Sequence, residues 1–96
     1  MEYSAHETFE MHAIVRGNVQ GVGFRWITRH LALGLGIKGT VQNLPDGTVE
    51  IYAQGQRQHL EELLNRLKEE TAPGQIAEAS IEYFPIETPH DDFRII

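Results

Sequence analysis

Cysteine is absent from this chain of 96 residues, and its apolar runs are short. The lack of cysteine excludes disulfide bonds, thiol catalysis and cysteine-based metal sites. No apolar stretch approaches the roughly 18 residues of a membrane span, and no basic-then-apolar segment marks the N-terminus for export. Because a reducing compartment suits a chain without disulfides, we expect a cytoplasmic protein that makes no membrane contact.

Positive charge is also scarce, since eight Lys and Arg residues stand against fourteen Asp and Glu, for a net charge of −6. The basic residues are scattered, which argues against nucleic-acid binding. An anionic ligand therefore has to be held by a local site. The five histidines lack metal-ligand spacing, so the sequence predicts no metal and no cofactor.

Hydrophobic periodicity predicts six main elements. Strands are expected over residues 9–15, 37–43, 48–54 and 79–86, with a short last piece at 93–96. One helix is expected over 24–35, and a second carries apolar residues at i, i+3, i+4 and i+7 (Leu60, Leu63, Leu64, Leu67), with Glu62 and Arg66 as an i,i+4 ion pair.

The order β-α-β-β-α-β favours an α+β domain of the ferredoxin-like, split β-α-β type. Such a domain has a four-stranded antiparallel sheet with both helices on one face. We expect residues 1–8 to form a loose N-terminal leader and residues 9–96 to form the single domain.

The most informative segment reads GNVQGVGFR at residues 17–25, between the first strand and the first helix. Its three glycines let the chain curl so that backbone N–H groups and the positive end of the helix dipole converge on one small volume. Arg25 adds a cationic fork that matches phosphate oxygens. The spacing fits neither the Walker loop nor the dinucleotide fingerprint. A plain strand–helix connection remains an alternative for such a turn, but the arginine placed directly after it favours a phosphate site.

Three blocks in this order carry a resemblance to a known family. They are VQGVGFR at residues 19–25, GTVQN at 39–43 and DGTVE at 46–50. Together they closely resemble the acylphosphatases, small hydrolases that cleave the carboxyl–phosphate bond of acyl phosphates. The resemblance covers residues 12–96, nearly the whole chain.

The resemblance implies a role for each matching residue. Backbone amides would hold the phosphate, Arg25 would bind it, and Asn43 would orient the attacking water. The residues whose amides would form the phosphate cradle are Gln20, Gly21, Val22, Gly23 and Phe24. The expected partners are a small-molecule acyl phosphate as substrate and inorganic phosphate as product. We expect a metal-independent monomer.

The residues themselves leave Asn43 open to two interpretations. An asparagine beside a hairpin commonly shapes the turn. However, Asn43 shares a strand face with Val41, and its amide is able to accept a hydrogen bond from water. Asn18, Thr40 and Gln42 stand where the family commonly has other residues, two of them arginines, and residues 71–74 also depart from its pattern. These departures affect the expected substrate affinity and stability more than the activity.

Two further functions stay open at this point. A non-catalytic anion-binding module would keep the cradle without hydrolysis. A carbamoyl-phosphate-handling domain is possible because a similar domain opens the large hydrogenase-maturation proteins; the absence of zinc-finger cysteines favours a free-standing enzyme. The aromatic residues Tyr52, Tyr83 and Phe84 would suit an RNA-binding sheet, but the acidic charge disfavours that interpretation.

Overall fold

The computed structural model describes residues 7–21, 23–71 and 75–96. Within these ranges the secondary-structure elements are β1 (Thr8–Gly17), α1 (Phe24–Gly34), β2 (Lys38–Asn43), β3 (Val49–Gln56), α2 (Arg57–Glu70), β4 (Ile76–Phe84) and β5 (Phe93–Ile95). The predicted order of elements is confirmed, and the ends of the elements differ from the predicted ends by only a few residues.

The sheet has the strand order β4-β1-β3-β2-β5. Strand β1 pairs antiparallel with β3 and β4, and β2 pairs antiparallel with β3, as the ferredoxin-like class requires. The class is therefore confirmed, but the sheet has one strand more than the four predicted. The extra strand, β5, runs parallel to β2 and has three residues, which is too short to show an alternating pattern.

Both helices pack on one face of the sheet and cover its apolar side chains. Alternation places Met11, Ala13 and Val15 of β1 on this face, where each is at most 2% exposed. The buried core is completed by residues of the neighbouring strands and of the two helices (Val41, Val49, Ile51, Ala53, Phe93, Phe24, Leu31, Ala32, Leu60, Leu63, Leu67). Neither helix of the described ranges is long and apolar enough to cross a membrane.

The other face of the sheet is polar and carries a linked group of side chains. His12 Nε2 of β1 lies 2.9 Å from Glu50 Oε2 of β3, and Gln42 Nε2 donates to Glu50 Oε1 at 2.9 Å. The His12 ring also stacks on Tyr52, with 4.4 Å between ring centroids. The hydrogen bond from His12, aided by that from Gln42, lowers the pKa of the Glu50 carboxyl against the opposing effect of burial.

The topology brings three segments to one end of the sheet. Because β1 and β2 are both antiparallel to β3, they run in the same direction, and their C-terminal ends lie at the same end of the sheet. Helix α1 begins at that end of the sheet, since it follows β1 along the chain. The β1–α1 loop (residues 18–23), the start of α1 and the end of β2 therefore lie together.

Candidate functional site

The β1–α1 loop depends on glycine for its backbone conformation. Gly21 has φ 78° and Gly23 has φ 79°, values in the left-handed region that side chains disfavour. A Cβ atom built on either residue would have no neighbour within 4 Å. These glycines are thus required by the backbone conformation of the turn and not by crowding around them.

Gly17 also has a positive φ, 135°, and it has a second reason to be glycine. A Cβ atom there would lie 2.3 Å from the carbonyl oxygen of Gln75, because the β1–β4 ladder shifts register between Arg16 and Gly17. The close approach of two backbones therefore accounts for Gly17. Of the three glycines in the motif, Gly21 and Gly23 lie in the β1–α1 loop, whereas Gly17 ends β1.

Within the described ranges, the first amides of α1 have no hydrogen-bond partner. Gly23 is the N-cap, it provides no side-chain cap, and the first turn carries no acidic residue. The Gly23 carbonyl accepts the hydrogen bond of the Ile27 N–H at 3.0 Å. The amides of Phe24 and Arg25 donate to no other described residue. Free N–H groups at the positive end of a helix dipole attract an anion.

Arg25, the second residue of α1, is half-buried and forms no ion pair with the described part of the chain. Three other arginines each have an acidic partner in the protein (Arg16 with Glu78, Arg57 with Glu61, Arg66 with Glu62). The guanidinium of Arg25 is therefore a cation beside the loop whose charge no described carboxylate balances.

Asn43 ends β2 and pairs with Val49 of β3. Its side-chain Oδ1 is buried and has no hydrogen-bond partner in the described ranges. Buried acceptors are nearly always satisfied, and leaving one unpaired costs about 1–3 kcal/mol. This oxygen therefore suits a donor from a bound molecule, such as water.

The Gln20 side chain serves the protein itself. Its Nε2 donates to the Leu44 carbonyl and to the Thr48 carbonyl, each at 2.8 Å. These carbonyls bracket the turn between β2 and β3, which is closed by hydrogen bonds from Leu44 N to Thr48 O and from Gly47 N to Leu44 O. The loop after β1 is thus bonded to the hairpin that directly follows Asn43.

The same turn contains an ionised carboxylate. The Thr48 hydroxyl and the Thr48 backbone N–H both donate to Asp46 Oδ1, at 2.6 and 3.0 Å. These two hydrogen bonds lower the pKa of the Asp46 carboxyl. The charged form stabilises the turn that carries the Gln20 contacts.

The structure places the remaining predicted residues as follows. The Phe24 side chain is 1% exposed in the core, so only its amide is available to a ligand. Val22 lies outside the described residues. Among the described residues, no group of three or more His, Asp or Glu is arranged to hold a metal ion.

Sequence reasoning missed the side-chain role of Gln20. The two acceptors are backbone carbonyls 24 and 28 residues further along the chain. Backbone groups leave no mark in a sequence, so no pattern in the chain could have indicated this contact.

Comparison with known proteins gives a consistent result. The acylphosphatase family model matches residues 11–95. The acylphosphatase of Thermobifida fusca is 50% identical over 70 residues, which cover 73% of this chain and 77% of that protein. An acylphosphatase structure from Bacillus subtilis superposes with a TM-score of 0.86 at 31% identity, covering 92% of this chain and 98% of that one. One from Coxiella burnetii superposes with a TM-score of 0.84 at 32% identity, over the full length of both chains.

Proposed function

The chain belongs to the acylphosphatase family, and from this premise we propose that it hydrolyses acyl phosphates to a carboxylate and inorganic phosphate. The observation that carries the proposal is the buried, unpartnered Oδ1 of Asn43. It lies at the same end of the sheet as the glycine loop and the first turn of α1, where the Phe24 and Arg25 amides and the Arg25 guanidinium have no partner among the described residues.

The phosphoryl group is bound by charge and backbone geometry. In the proposal its oxygens accept hydrogen bonds from the amides of residues 20–24 and from the Arg25 guanidinium. These donors are fixed before the substrate arrives, so they stabilise the charge that develops on the phosphoryl oxygens without reorganisation. They fill the electrostatic role of a metal ion, so the reaction is proposed to be metal-independent and cofactor-free.

The attacking water is oriented by Asn43. Its Oδ1 accepts a hydrogen bond from the water, which attacks phosphorus in line with the acyl oxygen. The new P–O bond forms as the bond from phosphorus to the acyl oxygen breaks, and the carboxylate leaves with that electron pair. The proton from water passes to a phosphoryl oxygen of the substrate. An acyl phosphate is a reactive anhydride, so no stronger base is needed.

The remaining expectations belong to the same proposal. We propose that the protein acts as a cytoplasmic monomer on a small-molecule acyl phosphate, without nucleic-acid or membrane partners. We propose residues 9–96 as the catalytic domain and residues 1–8 as the leader, whose last residue, Thr8, is held in β1 by its pairing with Gln56.

The first experiment is hydrolysis of benzoyl phosphate in the presence of a chelator, followed by the loss of ultraviolet absorbance. We expect the wild type to be active, Arg25→Ala to lose about 10²–10³-fold in kcat/KM, and Asn43→Ala to lose about 10²-fold. The matched controls are Arg66→Ala and Asn65→Ala, which remove the same residue types from exposed positions of α2 and should keep full activity.

Two results would contradict the proposal. Normal activity of Arg25→Ala would remove the assigned phosphate site. Binding of inorganic phosphate by a wild type that hydrolyses nothing would identify an anion-binding module instead.

A further inference from the structure

The two halves of the proposed site belong to strands that do not touch. Strand β3 lies between β1 and β2, so the ends of β1 and β2 are separated by two strand spacings, about 10 Å. The loop follows β1, whereas Asn43 ends β2. Along the chain they are connected through the whole of α1. Val49 of β3 pairs with both Val15 and Asn43, so the sheet fixes the end of β1 relative to the end of β2. The loop that continues beyond β1 lies outside this ladder, and a further contact is needed to fix it relative to Asn43.

The side chain of Gln20 makes that connection directly. Gln20 belongs to the loop itself, and Leu44 is the residue after Asn43. The two 2.8 Å hydrogen bonds to Leu44 O and Thr48 O hold the loop against the first and last residues of the turn that joins β2 to β3. Each of these carbonyls also accepts a hydrogen bond within the turn. The contact is thus part of a closed network and not a single surface bond.

We propose that Gln20 is a positioning residue for hydrolysis, whose side chain fixes Asn43 relative to the phosphate held by the loop. This inference rests on the proposed function. The amide suits the role because one NH₂ group supplies two donors to two carbonyls. In-line attack needs the water and the phosphorus within a few tenths of an ångström of the reacting geometry, and a displacement of about 1 Å costs about 10²-fold in rate.

The test separates orientation from binding. Gln20→Met keeps the length of the side chain and removes both donors, while the backbone N–H proposed to bind phosphate stays. We expect kcat for benzoyl phosphate to fall about 10–100-fold. The inhibition constant of inorganic phosphate should change less than about threefold, because the loop amides and Arg25 remain. Gln20→Asn, whose stem is one methylene shorter, should show the same split in milder form and serves if the Met variant folds poorly.

A double variant tests whether Gln20 acts through Asn43. If it does, Gln20→Met should add little once the Asn43 side chain is gone, and Gln20→Met/Asn43→Ala should stay within about twofold of Asn43→Ala in kcat. Independent contributions would multiply instead, giving a further loss of about tenfold or more.

Gln54→Met is the matched control, because Gln54 bonds a loop to the opposite end of the sheet. Gln54 is 4% exposed, and its Nε2 donates to Glu10 Oε1 and to the Thr88 carbonyl, each at 2.9 Å. Its Oε1 accepts the His90 N–H at 2.8 Å. We expect Gln54→Met to lower the melting temperature at least as much as Gln20→Met, with kcat unchanged. The control thus separates loss of stability from loss of orientation.

The outcomes distinguish this inference from the proposed function. A wild type that hydrolyses benzoyl phosphate, with kcat unchanged in both Gln20 variants, would overturn the positioning role and leave the function intact. An equal rise in the phosphate inhibition constant would also overturn it, because Gln20 would then act on the cradle. Multiplicative losses with Asn43→Ala would do the same. A wild type without activity would overturn both.

Discussion

The two strand-to-helix junctions of this fold, β1–α1 and β3–α2, are built differently. Six residues separate β1 from α1, whereas α2 begins at the residue directly after β3. Both helices carry an arginine in the first turn, Arg25 in α1 and Arg57 in α2, and neither N-cap provides a side-chain hydrogen bond.

The two arginines also differ in their contacts with the rest of the protein. The Arg57 backbone N–H donates to the Glu7 carbonyl at 3.0 Å, its Nε lies 3.5 Å from a Glu61 carboxylate oxygen, and its guanidinium lies 3.5 Å from the ring centroid of Tyr83. Arg25 has no comparable contact with the described residues. At the direct junction the protein's own groups contact the first residue of the helix, whereas the first turn of α1 has no such contact with the described residues.

The largest expected effect comes from removing each arginine in turn. Arg25→Ala should abolish the rise in melting temperature that excess inorganic phosphate gives the wild type, with little change in the melting temperature of the free protein. Arg57→Met should lower the melting temperature of the free protein and leave the rise caused by phosphate unchanged. It loses a cation–π contact and an ion pair worth about 1 kcal/mol, or roughly 4–8 °C, and keeps the response to phosphate. Calorimetry with and without phosphate measures both, and an equal phosphate response in the two variants would break the comparison.

A smaller effect is expected from the glycine that shapes the open junction. Gly23→Ala forces a side chain into the left-handed region at a cost of about 1–2 kcal/mol and shifts the first amides of α1. We expect kcat/KM for benzoyl phosphate to fall about tenfold.

Gly34→Ala is its control, because Gly34 ends α1 without a positive φ and a Cβ atom there has no neighbour within 4 Å. It should gain about 0.4–1 kcal/mol of stability at unchanged activity. Equal kinetics for the two alanine variants would show that the loop conformation does not matter to catalysis.

The smallest effect concerns the strands that lead into the two junctions, β1 and β3, which His12 and Glu50 link on the polar face. Because the folded-state pKa of Glu50 is lowered, its ionised form stabilises the fold above the ordinary pKa of 4.5, and that contribution is lost as the pH falls through the lower, folded value.

Glu50→Gln should therefore flatten the loss of stability as the pH falls below the ordinary pKa of 4.5, by roughly 0.5–1 kcal/mol, as urea unfolding would measure. Its activity at neutral pH should match the wild type, since neither junction changes. A loss of activity would show that the polar face of β1 and β3 also contributes to the function assigned to the β1–α1 junction.

Local patterns were enough to predict much of this molecule. The leucine spacing of α2 and its Glu62–Arg66 pair follow from helical periodicity, and the pair is present at 2.9 Å. The glycine loop follows from residues adjacent in sequence. Alternation with Val41 places Asn43 on the helix-covered face of β2. Each of these predictions depends on residues within a few positions of each other.

The features that escaped prediction depend on distant parts of the chain. The sequence predicts a short last piece at residues 93–96 but not its pairing as a fifth strand parallel to β2, more than fifty residues earlier, because its own three residues carry no period. The cation–π contact of Arg57 needs Tyr83 of β4, and the Gln20 contact needs two carbonyls of a turn. Such contacts arise from the tertiary arrangement and leave no local sequence signal.

The position of β1 between β4 and β3 has a consequence for how the protein folds. The strand that leads into the loop is completed on one side by β3 and on the other by β4, with Glu10 paired to Phe84 near the far end of the chain. Contacts this distant in sequence form slowly, because the long intervening segment must first be closed. We therefore expect phosphate to find its site only in chains that have passed the rate-limiting step. It should slow unfolding while leaving the refolding rate unchanged.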